Sequence, residues 1–211
     1  MPRAPRASHP EQKAERSAAI LGTALALFRA QGYAALTMAQ VAQAAGLAKG
    51  TVYLSFPSKE SLFLDLLEAR YGAWFETVEA GLPAGSTPVS LARHLSKTLL
   101  DTPDFLSLLV LGPTVLEHNV DEARALRYKR FLLDRSLRLS ALLEAQVGLR
   151  PGQGMTLLIR LHALALGLHP HAVPAPVVAA LLEHPDLAPF RVDFADVLEA
   201  CLTDLLRGME H

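Results

Sequence analysis

The residues best equipped for chemistry in this 211-residue chain stand close together, in the stretch AGLAKGTVYLSFPSKESLF at 45–63. Lys49 offers a cation that can reach a phosphate or the edge of a guanine. Thr51 adds a hydroxyl and Tyr53 a phenolic donor. Gly50 lies among them inside a helical pattern, although glycine there costs roughly 0.5–1 kcal/mol against alanine. A missing side chain makes sense where the backbone itself must approach something closely. Lys59 follows Ser58 at the start of another helix, where a cation opposes the helix dipole. An anion held jointly by the ammonium and the free backbone N–H groups would resolve that conflict. The candidate contacts to nucleic acid are Thr37, Lys49, Gly50, Thr51, Tyr53, Ser55 and Lys59.

Such residues need rigid supports, and the neighbouring sequence supplies them. Thr37 and Gln40 make a capping box, and Leu36 can staple onto Val41. Met38, Val41, Ala42 and Ala45 give that short helix a narrow inner face, and Gly46 ends it. A second short helix runs from about Ala48 to Ser55, with Val52 and Phe56 as inward anchors. Pro57 cannot continue it, and Ser58 caps the next. Two short helices joined by Ala45-Gly46-Leu47 form a helix-turn-helix, in which the second helix lies in the DNA major groove. Ahead of them, Ile20, Leu21, Ala24, Leu27 and Phe28 follow one helix face, and Gly32 closes it.

Residues 16–63 resemble the tetracycline-repressor (TetR) family of bacterial regulators. The likeness is carried by Ile20, Ala24, Phe28, Gly32-Tyr33, Thr37-Met38, Val41-Ala42, Ala45-Gly46-Leu47, Lys49-Gly50-Thr51, Tyr53, Phe56 and Ser58-Lys59-Glu60-Leu62-Phe63. One departure stands out. Where the family commonly has a small hydroxyl residue capping the second helix, this chain has Ala48. The resemblance implies a homodimer on a palindromic double-stranded DNA operator, and a C-terminal helical domain that binds a small molecule and releases DNA. It does not name the effector.

Beyond the motif the pattern stays helical, and the expected fold class is all-α. Three short helices come first and a larger helical bundle for ligand binding and dimerisation follows. The divisions expected are a flexible basic arm at 1–10 carrying Arg3 and Arg6, a helix-turn-helix domain at 11–60, and the bundle at 61–211. The fourth helix carries Leu62, Phe63, Leu66, Leu67, Tyr71 and Trp74 and fades near Gly81-Leu82-Pro83. Further helices are expected at 88–100, 103–111, 120–147, 154–168 and 192–207, with a short turn of helix near 176–183. Gly148 and Gly208 sit where closing glycines belong, and Pro170 reads as loop. An apolar pocket is expected among Trp74, Phe75, Phe105, His118, Phe131 and His162. A dimer surface is expected from Leu158, Leu161, Val197, Leu198, Cys201, Leu202 and Leu205, because one core cannot easily consume every apolar face of two such helices.

Composition bounds the function. Hydrophobic residues make up 51% and charged residues 19%, so a sizeable core can be buried. The first 60 residues hold seven Lys/Arg against three acids, and the remainder 13 against 18, so a basic head sits on an acidic body. The single cysteine, Cys201, allows no internal disulfide, which suits a reducing cytoplasm. The first ten residues lack the apolar core of a signal peptide. Leu161 to Leu182 carries no charge, yet its three prolines and three histidines argue against a membrane span. No glycine-rich phosphate loop follows a strand and no Gly-x-Ser-x-Gly elbow occurs, so an enzyme is not expected. The histidines at 162, 169, 171 and 184 lack regular ligand spacing, so neither metal nor cofactor is expected. The alternative is a helical small-molecule carrier or metal-binding protein whose helix-turn-helix is only structural.

Overall fold

The computed structural model describes residues 10–82 and 84–209. Arg3 and Arg6 of the expected arm lie outside the described residues. Every regular element among the described residues is helical. Helix α1 spans Pro10–Ala35 and changes direction at Gly32, where φ is 74°. The backbone there enters the left-handed region that glycine takes without penalty. Helix α2 spans Met38–Ala44 and carries the capping box in full, with the Thr37 side chain accepting from the Gln40 N–H and the Gln40 side chain accepting from the Thr37 N–H. Gly46, at φ 65°, makes the turn into α3, Lys49–Ser55. Ala48 precedes α3 without any side-chain cap, as its methyl group dictates.

Helix α4 spans Lys59–Gly81 without a break, capped by Ser58, whose Oγ accepts from the Ser61 N–H at 3.0 Å. The expected boundary at 60/61 falls in its first turn. Helices α5 (Pro88–Leu100) and α6 (Pro103–Leu111) follow. α6 runs on through a π turn at Gly112–Leu116 and a 3₁₀ turn at Glu117–Asn119. The remaining helices are α7 (Glu122–Val147), α8 (Gln153–Ala172), α9 (Pro176–Leu181) and α10 (Phe194–Met209), with a 3₁₀ turn at Pro185–Phe190 ahead of the last. Gly148 closes α7 in the left-handed conformation, at φ 79°. Gly208 does not close α10, which continues to Met209. Pro170 is inside the last turn of α8 rather than in a loop. No single helix among the described residues is long and apolar enough to cross a membrane.

One continuous core holds these elements. In the N-terminal part, Ile20, Ala24, Leu36, Val41, Val52, Phe56, Leu62 and Phe63 are all at most 2% exposed, and in this shared core α1 packs on α2 and the start of α4, and α2 on α3. In the C-terminal part α4 packs against α5, α6 and α7, while α10 lies on α5 and α8. α7 and α8 touch directly. A Cβ added at Gly154 would stand 2.5 Å from the Ser140 carbonyl oxygen, so only glycine fits that crossing. The Glu144 carboxylate caps the entry to α8, accepting the N–H groups of Gly152 at 2.8 Å and Gly154 at 3.1 Å.

Four of the expected pairing residues are spent inside the chain. Leu198 and Leu202 are fully buried where α10 meets α5 and α8, and Leu158 and Leu161 are buried on the inner side of α8. Val197, Cys201 and Leu205 are half-buried on α10. The outward side of α8 instead presents Ile159, Ala163 and Gly167, with Ile159 62% exposed.

Candidate nucleic-acid interface and effector cavity

α3 is anchored from one side only. Val52 is fully buried and Phe56 is 2% exposed, which fixes the inner face. Lys49 and Gly50 are exposed, Thr51 and Ser55 are half-buried, and Tyr53 is 41% exposed. The Lys49 ammonium stands 5.7 Å from the centre of the Tyr53 ring, so the two form one cationic, donor-bearing edge. A Cβ built on Gly50 meets nothing within 4 Å. The chain itself therefore gives no reason for a glycine in this helix. Thr37 is exposed at the head of α2, though its hydroxyl is engaged by the capping box.

Lys59 differs from the expectation of an anion at the head of α4. Its ammonium donates to the Tyr33 carbonyl oxygen at 2.5 Å and lies 3.9 Å from the centre of the Tyr33 ring. The C-terminal end of α1 and an aromatic face thus supply the negative potential that the start of α4 lacks. Burial lowers the Lys59 pKa, and the neighbouring Glu60 opposes that shift. The Tyr33 hydroxyl in turn donates to Glu60 at 2.9 Å, and burial pushes its pKa upward.

The second feature is a cavity of about 230 Å³ lined by α4, α5, α6, α7 and α8 and partly open to solvent. Trp74, Phe75, Phe105 and His162 line it, as the sequence suggests. Tyr71, Leu99, Leu109, Leu132, Ser136, Met155, Leu158, Leu161 and Ala165 complete the wall, and Ile159, largely exposed, stands at its open rim. Two expected residues are elsewhere. His118 is exposed in the 3₁₀ turn, and Phe131 faces a surface groove beside Asp65 and Arg124. Leu132, one residue on, takes the inward position on α7. Leu158 and Leu161, read as dimer residues, are cavity wall.

Four rings form one side of the wall. Tyr71 meets Phe105 edge-on at 4.9 Å between centroids, and Trp74 meets Phe75 at 5.1 Å. The Trp74 indole N–H donates to Thr98 Oγ1 at 3.1 Å, which fixes its orientation. The polar corner is small: the Tyr71 hydroxyl and His162 Nδ1 are 3.1 Å apart. Burial lowers the His162 pKa, with the nearby Lys129 acting the same way, and raises that of Tyr71. A neutral imidazole accepting from the phenol satisfies both shifts. No carboxylate, lysine or arginine lines the cavity. Tyr71 stands three and four residues before Trp74 and Phe75, a spacing that places all three on adjoining rows of α4 and that a reading of the aromatic pattern could have found.

Both features share supports. α4 begins beside α3 and reaches the cavity with Tyr71, Trp74 and Phe75. α6 supplies Phe105 and Leu109 to the cavity, and its Asp104 accepts from Arg29 Nε of α1 at 2.9 Å. That hydrogen bond is the main cause of the lowered Asp104 pKa. A third link lies lower on α4, where Arg124 of α7 donates to Asp65 at 2.9 Å and to Glu68 at 2.8 Å.

Comparison with known proteins gives a consistent picture. The family model for bacterial regulatory proteins of the tetR family matches residues 20–66, and that for the tetracyclin repressor-like C-terminal domain matches residues 68–211. The HTH-type transcriptional regulator EthR of Mycolicibacterium smegmatis is 34% identical over 124 residues, covering 49% of this chain and 56% of that protein. The uncharacterized HTH-type transcriptional regulator YuxN of Bacillus subtilis is 32% identical over 98 residues, 44% of this chain and 34% of that protein. The chain therefore spans about a third to little more than half the length of these curated relatives. The crystal structure of a transcriptional regulator from Rhodococcus superposes with a TM-score of 0.59 at 18% identity, covering 94% of this chain and 98% of that one. That likeness is one of fold.

Proposed function

The chain belongs to the TetR family of bacterial transcriptional regulators, and on that footing we propose that it is a repressor that binds a palindromic operator as a homodimer and releases it when a small apolar molecule occupies the cavity. The observation that carries the reading is α3. It is anchored through Val52 and Phe56, and its other side holds a cation, hydroxyls and a bare glycine in open space. Thr37, Lys49, Gly50, Thr51, Tyr53 and Ser55 are the proposed DNA contacts, whereas Lys59 is held by Tyr33. The dimer surface we assign to the outward side of α8 around Ile159 and Ala163, with Val197, Cys201 and Leu205 of α10. A two-fold protein then reads two half-sites about one helical turn, or a multiple of it, apart. Such a regulator works in the cytoplasm, beside its genes.

The effector follows from the wall. Four aromatic rings, aliphatic side chains and one neutral Tyr71–His162 pair suit an uncharged, aromatic or aliphatic molecule with one hydrogen-bonding group. Occupancy acts on DNA through α4, which runs from beside the helix-turn-helix to the cavity, and through α6, which joins the cavity to α1. It does so only if the ligand binds the DNA-incompetent arrangement more tightly. Couplings of this kind are about 1–3 kcal/mol, or roughly 5- to 150-fold in affinity.

The test starts from genomic fragments retained by the protein. Binding to the selected duplex should weaken steeply with salt, and Lys49→Ala should lower the salt slope by about one charge. Molecules that quench or shift the fluorescence of Trp74, the only tryptophan, should loosen that binding and themselves bind more weakly to the DNA complex. Retention of no fragment above random DNA refutes the proposal.

A further inference from the structure

We infer that Leu54 reads the methyl group of a thymine in each operator half-site. The inference rests on the reading of α3 as the helix that enters the major groove. Val52 marks the centre of the inner face of α3, fully buried. At about 100° per residue, Gly50 and Leu54 stand two positions to either side of it and so share the opposite face, one turn apart. Leu54 is 88% exposed, more than any other large apolar residue among the described ones. A lone exposed leucine is ordinary on a protein surface. This one occupies the outermost ridge of the helix, flanked by Thr51 and Tyr53.

Chemistry narrows its partner. An isobutyl group neither donates nor accepts a hydrogen bond, so it gains nothing from a phosphate. In the major groove the edges of guanine, adenine and cytosine present polar atoms, and the apolar group is the C5 methyl of thymine. Gly50 explains how a side chain of this length gets there. With no Cβ at the preceding turn of the same ridge, and open space around the place it would fill, the helix backbone can settle deeper against the bases. The ridge of α3 is then apolar at Leu54 and bare at Gly50, while Lys49, Thr51 and Tyr53 on its flanks supply the polar contacts.

The experiment replaces each thymine of the selected operator, one symmetric pair at a time, by deoxyuridine, which loses the methyl and keeps the base pair. One pair should weaken binding of the parent by about fourfold per half-site, the scale of one buried methyl group. Leu54→Ala should bind the parent operator more weakly and treat thymine and deoxyuridine there alike. Leu54→Met should keep the discrimination. Because Leu54 makes no core contact, both variants should melt with the parent, which separates reading from folding. If the parent binds the operator specifically yet ignores every deoxyuridine, the assignment of Leu54 is wrong and the operator reading stands. The assignment is equally wrong if Leu54→Ala keeps the parent's preference for thymine. If no duplex is preferred over random DNA, both readings fall.

Discussion

Arg124→Met removes the clamp between the start of α7 and the lower half of α4. The side chain of Arg124 is only 8% exposed, and it is shared by Asp65 and Glu68, one turn apart on α4. Methionine keeps much of the packing volume but leaves two carboxylates facing each other without a cation. Breaking a fully buried pair costs about 3–5 kcal/mol. Here the abandoned carboxylates are 38% and 33% exposed, so water recovers part of their solvation. A loss of about 2 kcal/mol is therefore expected, near the value of one hydrogen bond to a charged group. For a chain of this length that is a fall in melting temperature of roughly 4–8 °C. The assay is a thermal melt followed by circular dichroism at neutral pH, repeated with Asp65→Asn and Glu68→Gln added to Arg124→Met. Neutralising the two acids should restore part of the loss, since no like charges then face each other. A single variant that melts within about 1 °C of the parent would refute the claim that this triad holds α7 to α4.

Two further predictions concern assembly and pH. Ala163→Arg, on the exposed side of α8 and away from the cavity wall, should give monomers in sedimentation, whereas Leu198→Arg should unfold the chain, because Leu198 is fully buried. The pH effect follows from His162 and His169, whose pKa values burial holds below the ordinary 6.5. The unfolded chain then binds more protons than the folded one as pH falls below about 6.5. Stability is thus full above that value and declines as pH drops toward the folded pKa values. His162→Gln should flatten this decline in melts between pH 7 and 5, and an unaltered profile would show that its burial does not govern it.

What could be read from the residues was local. The capping box, the turn at Gly46, the stop at Pro57 and the cap at Ser58 each depend on side chains within four positions, and each is present. The left-handed backbone at Gly32 was legible for the same reason, although α1 turns there and runs on to Ala35 instead of ending. The pocket was half legible. Trp74, Phe75, Phe105 and His162 are large or polar groups on apolar helices, and they converge. His118 was lost because the π turn at Gly112–Leu116 breaks the 3.6-residue phase of α6, so the residues after it no longer follow its inner face. Phe131 failed by one position, since a step of about 100° along α7 separates the groove from the cavity. Four of the expected dimer residues, Leu158, Leu161, Leu198 and Leu202, are covered within the chain for a different reason. An apolar stripe says that a helix is covered, and Leu198 and Leu202 are covered by α5 and α8 of the same chain.

The arrangement of α6 bears most on how a bound molecule is felt at DNA. Asp104, Phe105 and Leu109 lie on this one short helix. The first holds Arg29 of α1, and the other two form cavity wall. Beyond Leu111 the π turn brings Gly112 against α4, where a Cβ would stand 3.0 Å from the Leu67 side chain. α6 is thus gripped at one end by α1, at the other by α4, and in between by the cavity. On the proposed function, a molecule that shifts the α6 backbone at Phe105 also shifts Asp104, its neighbour in the first turn. In the proposed mechanism, such a shift passes to α1 through the Arg29–Asp104 ion pair and to α4 through the packing of Gly112 on Leu67. α3 follows because Val52 and Phe56 belong to the core shared by α1, α2 and the start of α4. The reading of α3 and the reading of the cavity therefore depend on one another, through contacts that a sequence of local helix signals does not display.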